Sequence, residues 1–186
     1  GCTHVVHIGD LSEIQVNGVT VSDNVIHGGI YGVTLSWGSS DDSEFPNIVS
    51  ENEIYSNENA GVLIESAFDN IVEKNDIFGN EHGIELAVCD GCGLGSPSGN
   101  IIRENTIREN SGHGIYSGGI EVVIGDLDIL DNTISENREG SGIYLNRVGG
   151  SADTLNISSN TINANGSYGL FMGQIDGNSV VIKENT

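Results

Sequence analysis

Asn100-Ile-Ile-Arg-Glu-Asn105-Thr-Ile-Arg-Glu-Asn110-Ser-Gly-His-Gly114-Ile-Tyr-Ser117 reads as a short strand, an Asn turn, a second short strand, a second Asn turn, and a Gly that opens a third strand. Each apolar segment is rich in β-branched residues and too short for a helix. The rest of the chain repeats this stretch with small changes.

Aligned on the first turn residue, the copies place Asn24, Asn52, Asn75, Asn105, Asn132, Asn160 and Asn185 in register, 23 to 30 residues apart. A second Asn follows most of them at a fixed distance: Asn57, Asn80, Asn110, Asn137 and Asn165, with Gly29 in the first copy. A Gly-aliphatic pair comes next, at Gly32-Val33, Gly61-Val62, Gly83-Ile84, Gly114-Ile115, Gly142-Ile143 and Gly169-Leu170. Within the copies, Ile26, Ile54, Ile77, Ile107, Ile134 and Ile162 share one position. Val21, Val49, Val72, Ile102, Ile129, Ile157 and Ile182 share another.

One copy is too small to bury its own apolar residues, whereas stacked copies bury them as continuous interior columns. β-branched side chains suit such a pleated, buried position. Asn suits the corners because it tolerates left-handed backbone geometry and because its amide can bond the Asn of the next coil. The chain is therefore expected to be all-β, a solenoid of about seven rungs and roughly 34 Å at the usual strand spacing. Residues 1–186 form a single domain on this reading.

The repeat resembles the right-handed parallel β-helix family, the pectate-lyase-like fold that includes NosD-type periplasmic proteins and many surface proteins. The resemblance runs from about Val5 to Thr186. It implies a right-handed, single-stranded parallel β-helix with Asn-rich corners and an extracellular, cell-surface or periplasmic location. It also implies that the Gly-aliphatic strand and its adjoining loops frame a ligand groove. Function itself is not implied, because it lies in sites grafted on a fold.

Composition narrows the partners. The formal net charge is −21, with only six Lys and Arg, which argues against nucleic acid and anionic membranes. It favours solubility in salt, cation binding, or both. No stretch is long enough to insert in a membrane. The first residues already read as a partial rung, and Ser179-Val-Val-Ile-Lys-Glu-Asn-Thr186 stops partway through another. The expectation is an excerpt of a longer solenoid with uncapped ends, or end-to-end self-association. Cys89 and Cys92 share a Gly-rich loop, with a local disulfide or two free thiols as the alternatives, and Cys2 is left over.

Strand alternation sets one outward column along the Gly-aliphatic strand: Thr34, Leu63, Glu85, Tyr116, Tyr144 and Phe171. Leu63, Glu85, Tyr116, Tyr144 and Phe171 are the candidate binding residues, since sugar rings stack on aromatic faces and Tyr adds a hydroxyl. Ordinary packing of aromatics across rungs is the competing reading. The loops after this strand vary most, from long or intermediate at 36–46, 89–99, 118–126 and 147–153 to short at 66–69, and are expected to carry specificity. Ca²⁺ is the one cofactor to consider, attracted by Glu65 and Glu85 or by Asp41-Asp42-Ser43-Glu44. No metal site is assigned.

Ser111-Gly-His-Gly-Ile-Tyr-Ser117 looks like the Gly-His-Gly motif of polygalacturonases, members of this fold in which carboxylates on adjacent rungs act as acid and base on the glycosidic bond. Here Glu81-His82-Gly83 stands one rung earlier in place of paired aspartates, and no Arg-Ile-Lys follows. His113 is therefore read as a spacer, and no catalytic residue is assigned. Lyases of this fold also need a base or neutralising cation, for which Arg147 is the nearby candidate.

The functional expectation is a secreted or surface domain that binds polysaccharide or other surface proteins. A polysaccharide lyase or glycoside hydrolase, and a self-assembling structural filament, are the alternatives.

Overall fold

The computed structural model describes residues 2–9, 16–36, 45–89, 95–119, 124–148, 154–176 and 179–186. These residues form three parallel sheets and no helix. Sheet I holds seven strands: His4–Ile8, Tyr31–Ser36, Ala60–Glu65, His82–Ala87, Ile115–Ser117, Ile143–Val148 and Leu170–Ile175. Sheet II also holds seven: Thr20–Ser22, Ile48–Ser50, Ile71–Glu73, Asn100–Arg103, Leu127–Leu130, Thr154–Ser158 and Ser179–Lys183. Sheet III holds six: Val25–His27, Glu53–Tyr55, Asp76–Phe78, Thr106–Arg108, Thr133–Ser135 and Thr161–Asn163.

The chain visits sheets II, III and I in turn, so each strand pairs with the strand one coil away. Six complete turns result, flanked by the lone strands His4–Ile8 and Ser179–Lys183. The seventh copy counted from the sequence, at Asn185, is the partial turn that Ser179–Lys183 begins.

The interior columns form as the repeat requires. Ile26, Ile54, Ile77, Ile107, Ile134 and Ile162 are consecutive partners across sheet III. Val21, Val49, Val72, Ile102, Ile129, Ile157 and Ile182 do the same in sheet II. The members of both columns in the middle coils are buried, and Ile182 in the last strand is 47% exposed. Burying each Ile contributes about 1.5–3 kcal/mol, and repetition along the axis builds one continuous core.

Two polar ladders run up the corners. Asn105 shows the arrangement. Its Oδ1 accepts the backbone N–H and the Nδ2 of Asn75, each at 3.0 Å. Its Nδ2 donates to the Val72 carbonyl at 2.9 Å and to Asn132 Oδ1 at 3.1 Å. The same pairing joins Asn24, Asn52, Asn75, Asn105, Asn132, Asn160 and Asn185. The second ladder runs through Asn57, Asn80, Asn110, Asn137 and Asn165. A third, shorter ladder of Asn47, Asn70 and Asn100 leads into sheet II.

The corners differ from the sequence expectation in one respect. The left-handed backbone lies on the residue before each Asn: Asp23, Glu51, Lys74, Glu104, Asp131, Ser159 and Glu184 at the first corner. Ser56, Glu109, Glu136 and Ala164, with Gly28 and Gly79, do the same at the second. The turn directs the preceding, mostly solvent-facing side chain outward and leaves the Asn amide inside to bond its neighbours.

The bend from sheet III into sheet I depends on a missing side chain. A Cβ on Gly61 would stand 2.6 Å from Ile77 Cγ2 and 2.9 Å from the Gly83 carbonyl oxygen. Those distances are too short for carbon, so the next coil could not seat.

Asn105→Ala removes the acceptor for the Asn75 N–H and the donor for the Val72 carbonyl, both buried. A loss of about 3 kcal/mol or more in denaturant unfolding is expected. Asn24 is exposed and donates only to Ser22 and Asn52, so Asn24→Ala should cost no more than about 1 kcal/mol. Equal losses would contradict this role for the ladder.

Candidate functional site

The outward column of sheet I is in register. Thr34 pairs with Leu63, Leu63 with Glu85, Glu85 with Tyr116, Tyr116 with Tyr144, and Tyr144 with Phe171. The column is not uniformly open. Thr34 is fully buried and its Oγ1 meets His4 Nδ1 at 2.7 Å, while Leu63 is only 4% exposed. Leu63 therefore offers no accessible face, because the column is covered at that end. Glu85, Tyr116, Tyr144 and Phe171 are half-buried.

Beside this column runs a second, interrupted one, formed by the residue before the recurrent Gly: Tyr31, His82, His113 and Tyr168 face outward, while Ala60 and Ser141 at the same position are buried. Simple alternation would turn this position inward. At the bend it is the Gly that faces the interior, so the residue on either side of the Gly-aliphatic pair emerges on the same face. His82, His113, Tyr116, Tyr144, Phe171 and Tyr168 consequently make one continuous array. His82 lies 4.2 Å from Tyr116 by ring centroid, His113 4.9 Å from Tyr116, and Tyr144 4.6 Å from Phe171. Tyr168 closes the array at 5.6 Å from Phe171. The aromatic residues at this spacer position were the sequence signal for it.

The two histidines are held as neutral rings. His82 Nδ1 accepts the His113 N–H at 3.1 Å, and His113 Nδ1 accepts the Ser141 N–H at 2.8 Å. An N–H donated into a ring nitrogen excludes a proton there. Burial, with the neighbouring His113, brings His82 down to about 4, and burial also lowers His113. His113 thus carries a coil-to-coil hydrogen bond as well as a ring contact, which suits the spacer reading and not that of a proton carrier.

Glu85 sits where the array meets its acidic neighbours. Its Oε2 is buried without a hydrogen-bond partner. Burial, then repulsion from Glu81 and Glu65, pushes its carboxyl up to about 6. Burial and the charge of Glu85 also raise Tyr116 and Tyr31 above the usual phenol value. The Tyr31 hydroxyl accepts a 2.8 Å bond from Asn59 Nδ2. Arg147 is the one cation on a described sheet I strand, and Asp176 holds it at 3.0 Å. It therefore neither neutralises Glu85 nor stands free as a base.

No group of three or more His, Cys, Asp or Glu able to hold a metal occurs among the described residues. Asp41, Asp42, Ser43 and Glu44 lie outside them, as do parts of all four variable loops and Cys92. Cys89 is in a disulfide, and Cys2 is a free, exposed thiol. No described helix is long and apolar enough to cross a membrane.

Two further features were missed from the sequence. On sheet III, the residues after the first three interior Ile stack on one another: His27 on Tyr55 at 5.0 Å and Tyr55 on Phe78 at 5.1 Å. The Arg108 guanidinium lies 4.4 Å over Phe78. At the corner between sheets III and I, a cleft of about 310 Å³ is lined by Asn57, Glu58, Glu81, Glu109, Ser111 and Arg138, among others.

A coil of three parallel sheets with corner Asn ladders defines a parallel β-helix. The chain belongs to the right-handed β-helix region family, whose family model matches residues 6–186. No curated protein and no solved structure matches it.

Glu85 is faced by Glu81, Glu65, Tyr116 and Tyr31, none of which supplies a positive charge. Its folded value lies above its ordinary 4.5, so the ionised form burdens the fold above about pH 6 and the burden lifts as pH falls below that. Glu85→Gln should therefore raise stability by about 1–2 kcal/mol near pH 7.5 and by nothing near pH 4. The neutral histidines act in the opposite sense in both proteins, so the difference between wild type and variant isolates Glu85. A gain equal at both pH values would contradict the assignment.

Proposed function

We propose that this chain is a secreted or cell-surface β-helix domain that binds polysaccharide along the outer face of sheet I. The observation that carries this reading is the aromatic array of His82, His113, Tyr116, Tyr144, Phe171 and Tyr168 spanning four consecutive coils.

The array is amphipathic in the way a sugar chain is. Tyr144 and Phe171 are nearly parallel, at 12°, as are His113 and Tyr116, at 5°. Rings stacked on one another present edges to a ligand, with the hydroxyls of Tyr116, Tyr144 and Tyr168 along the same strip. A glycan presents matching C–H patches and hydroxyl groups, and Tyr combines apolar contact with a polar handle. Coils repeat at about the 4.8 Å strand spacing, close to the advance of one sugar in an extended chain. A glycan laid along the axis would meet one ring per residue.

A purely structural array would serve equally well without its hydroxyls. Tyr116→Phe combined with Tyr144→Phe keeps the stacking and deletes two hydrogen bonds to the ligand. Binding to a neutral β-linked oligosaccharide, measured by calorimetry, should weaken about tenfold while the melting temperature stays put. Unchanged affinity would remove the strip from the binding face.

A further inference from the structure

From the distribution of charge on this face we infer that the glycan it selects carries free amino groups: a polymer of ammonium-bearing hexosamine units in preference to a neutral or uronic acid chain. The inference rests on the polysaccharide-binding reading and specifies the ligand of the same strip.

Three observations support it. First, Glu85 lies within the aromatic strip, between Leu63 and Tyr116, and its buried Oε2 has no partner. Glu85 as a whole is only half-buried, so a ligand cation can approach it from the outer face, and a positive charge there would offset the cost of holding a carboxylate partly out of water. Second, Glu81 and Glu65 act on the same group, since both hold its proton affinity up and both, with Glu85, raise Tyr31. Among the described residues none of the three carboxylates has an ion-pair partner, whereas Glu73, Asp76, Glu109 and Asp176 are each paired to an Arg. Third, the one cation on a described sheet I strand, Arg147, is occupied by Asp176.

A polyuronate would bring one negative charge per sugar into this field, with no free cation on the described face to receive it. A divalent metal would need donors converging on one point, and the described residues hold no such cluster. An ammonium group on a sugar ring fits better. It is a cation with up to three directional donors, carried by a ring that can lie against the aromatic edges. One ammonium per sugar can meet carboxylates on different coils in turn, so the carboxylates need not converge. The overall charge of −21 adds long-range attraction for a polycation.

The test compares three ligands of equal length by calorimetry with the whole chain: a β-1,4-glucosamine oligomer, its fully N-acetylated counterpart, and an oligogalacturonate. The glucosamine oligomer should bind at least about tenfold more tightly than the acetylated one. The preference should collapse in high salt and in Glu85→Gln, and the galacturonate should not bind. Glu85→Gln is isosteric, and its melting curve verifies folding independently. If the acetylated oligomer binds as well as the amine, or if Glu85→Gln leaves the ratio unchanged, the inference is overturned while the strip remains a glycan site. If none of the three binds, the polysaccharide reading falls with it.

Discussion

The structure depends on a buried carboxamide that bonds simultaneously to the coil before it and the coil after it. In each ladder the Asn oxygen receives a backbone N–H and a side-chain N–H from one neighbour, while its nitrogen donates to a carbonyl and to the next oxygen. Every polar group at the corner is thereby satisfied away from water, where an orphan would cost about 1–3 kcal/mol. Apolar columns alone would tolerate slippage, because one Ile resembles the next. The carboxamide does not, since it fits only at one height and one angle. The ladder therefore sets the register, and the register sets which side chains share the outer face of sheet I.

Much of this was legible in the sequence, for physical reasons. Ile54, Ile77 and Ile107 recur because a stack of short strands can bury only one inward position per strand, and that position must be filled in every coil. Asn52, Asn75 and Asn105 recur because a short carboxamide can accept two bonds and donate two at the corner, as Asn105 does. The left-handed turn was assigned to Asn, yet it lies on Glu51, Lys74 and Glu104. These residues follow no common chemical type, because their side chains point to solvent, so nothing in the sequence marked them. The third ladder was present five residues upstream of the first, at Asn47, Asn70 and Asn100. It occupies three copies only, since Leu127 and Leu155 take its place later.

The outer face was half legible. Alternation along the strand placed Glu85, Tyr116, Tyr144 and Phe171 in one column, and they pair as a column. It failed at the bend, where the backbone of Gly83 and Gly114 turns inward and puts His82 and His113 beside that column. Nor could alternation show that Thr34 and Leu63 are covered, because their burial comes from neighbours such as His4 in another coil. The site is thus an aromatic strip two residues wide, acidic at one side and closed at one end.

The central claim is that the corner carboxamides are inside the protein and hold adjacent coils in register. Hydrogen exchange of the side-chain amide protons of Asn75, Asn105 and Asn132, followed by NMR, measures this directly. The account predicts that these protons exchange as slowly as the backbone amides of Ile77, Ile107 and Ile134, because both open only when the stack opens. Exchange of the Asn105 carboxamide at the rate of an exposed side chain, with the Ile107 amide still protected, would contradict it.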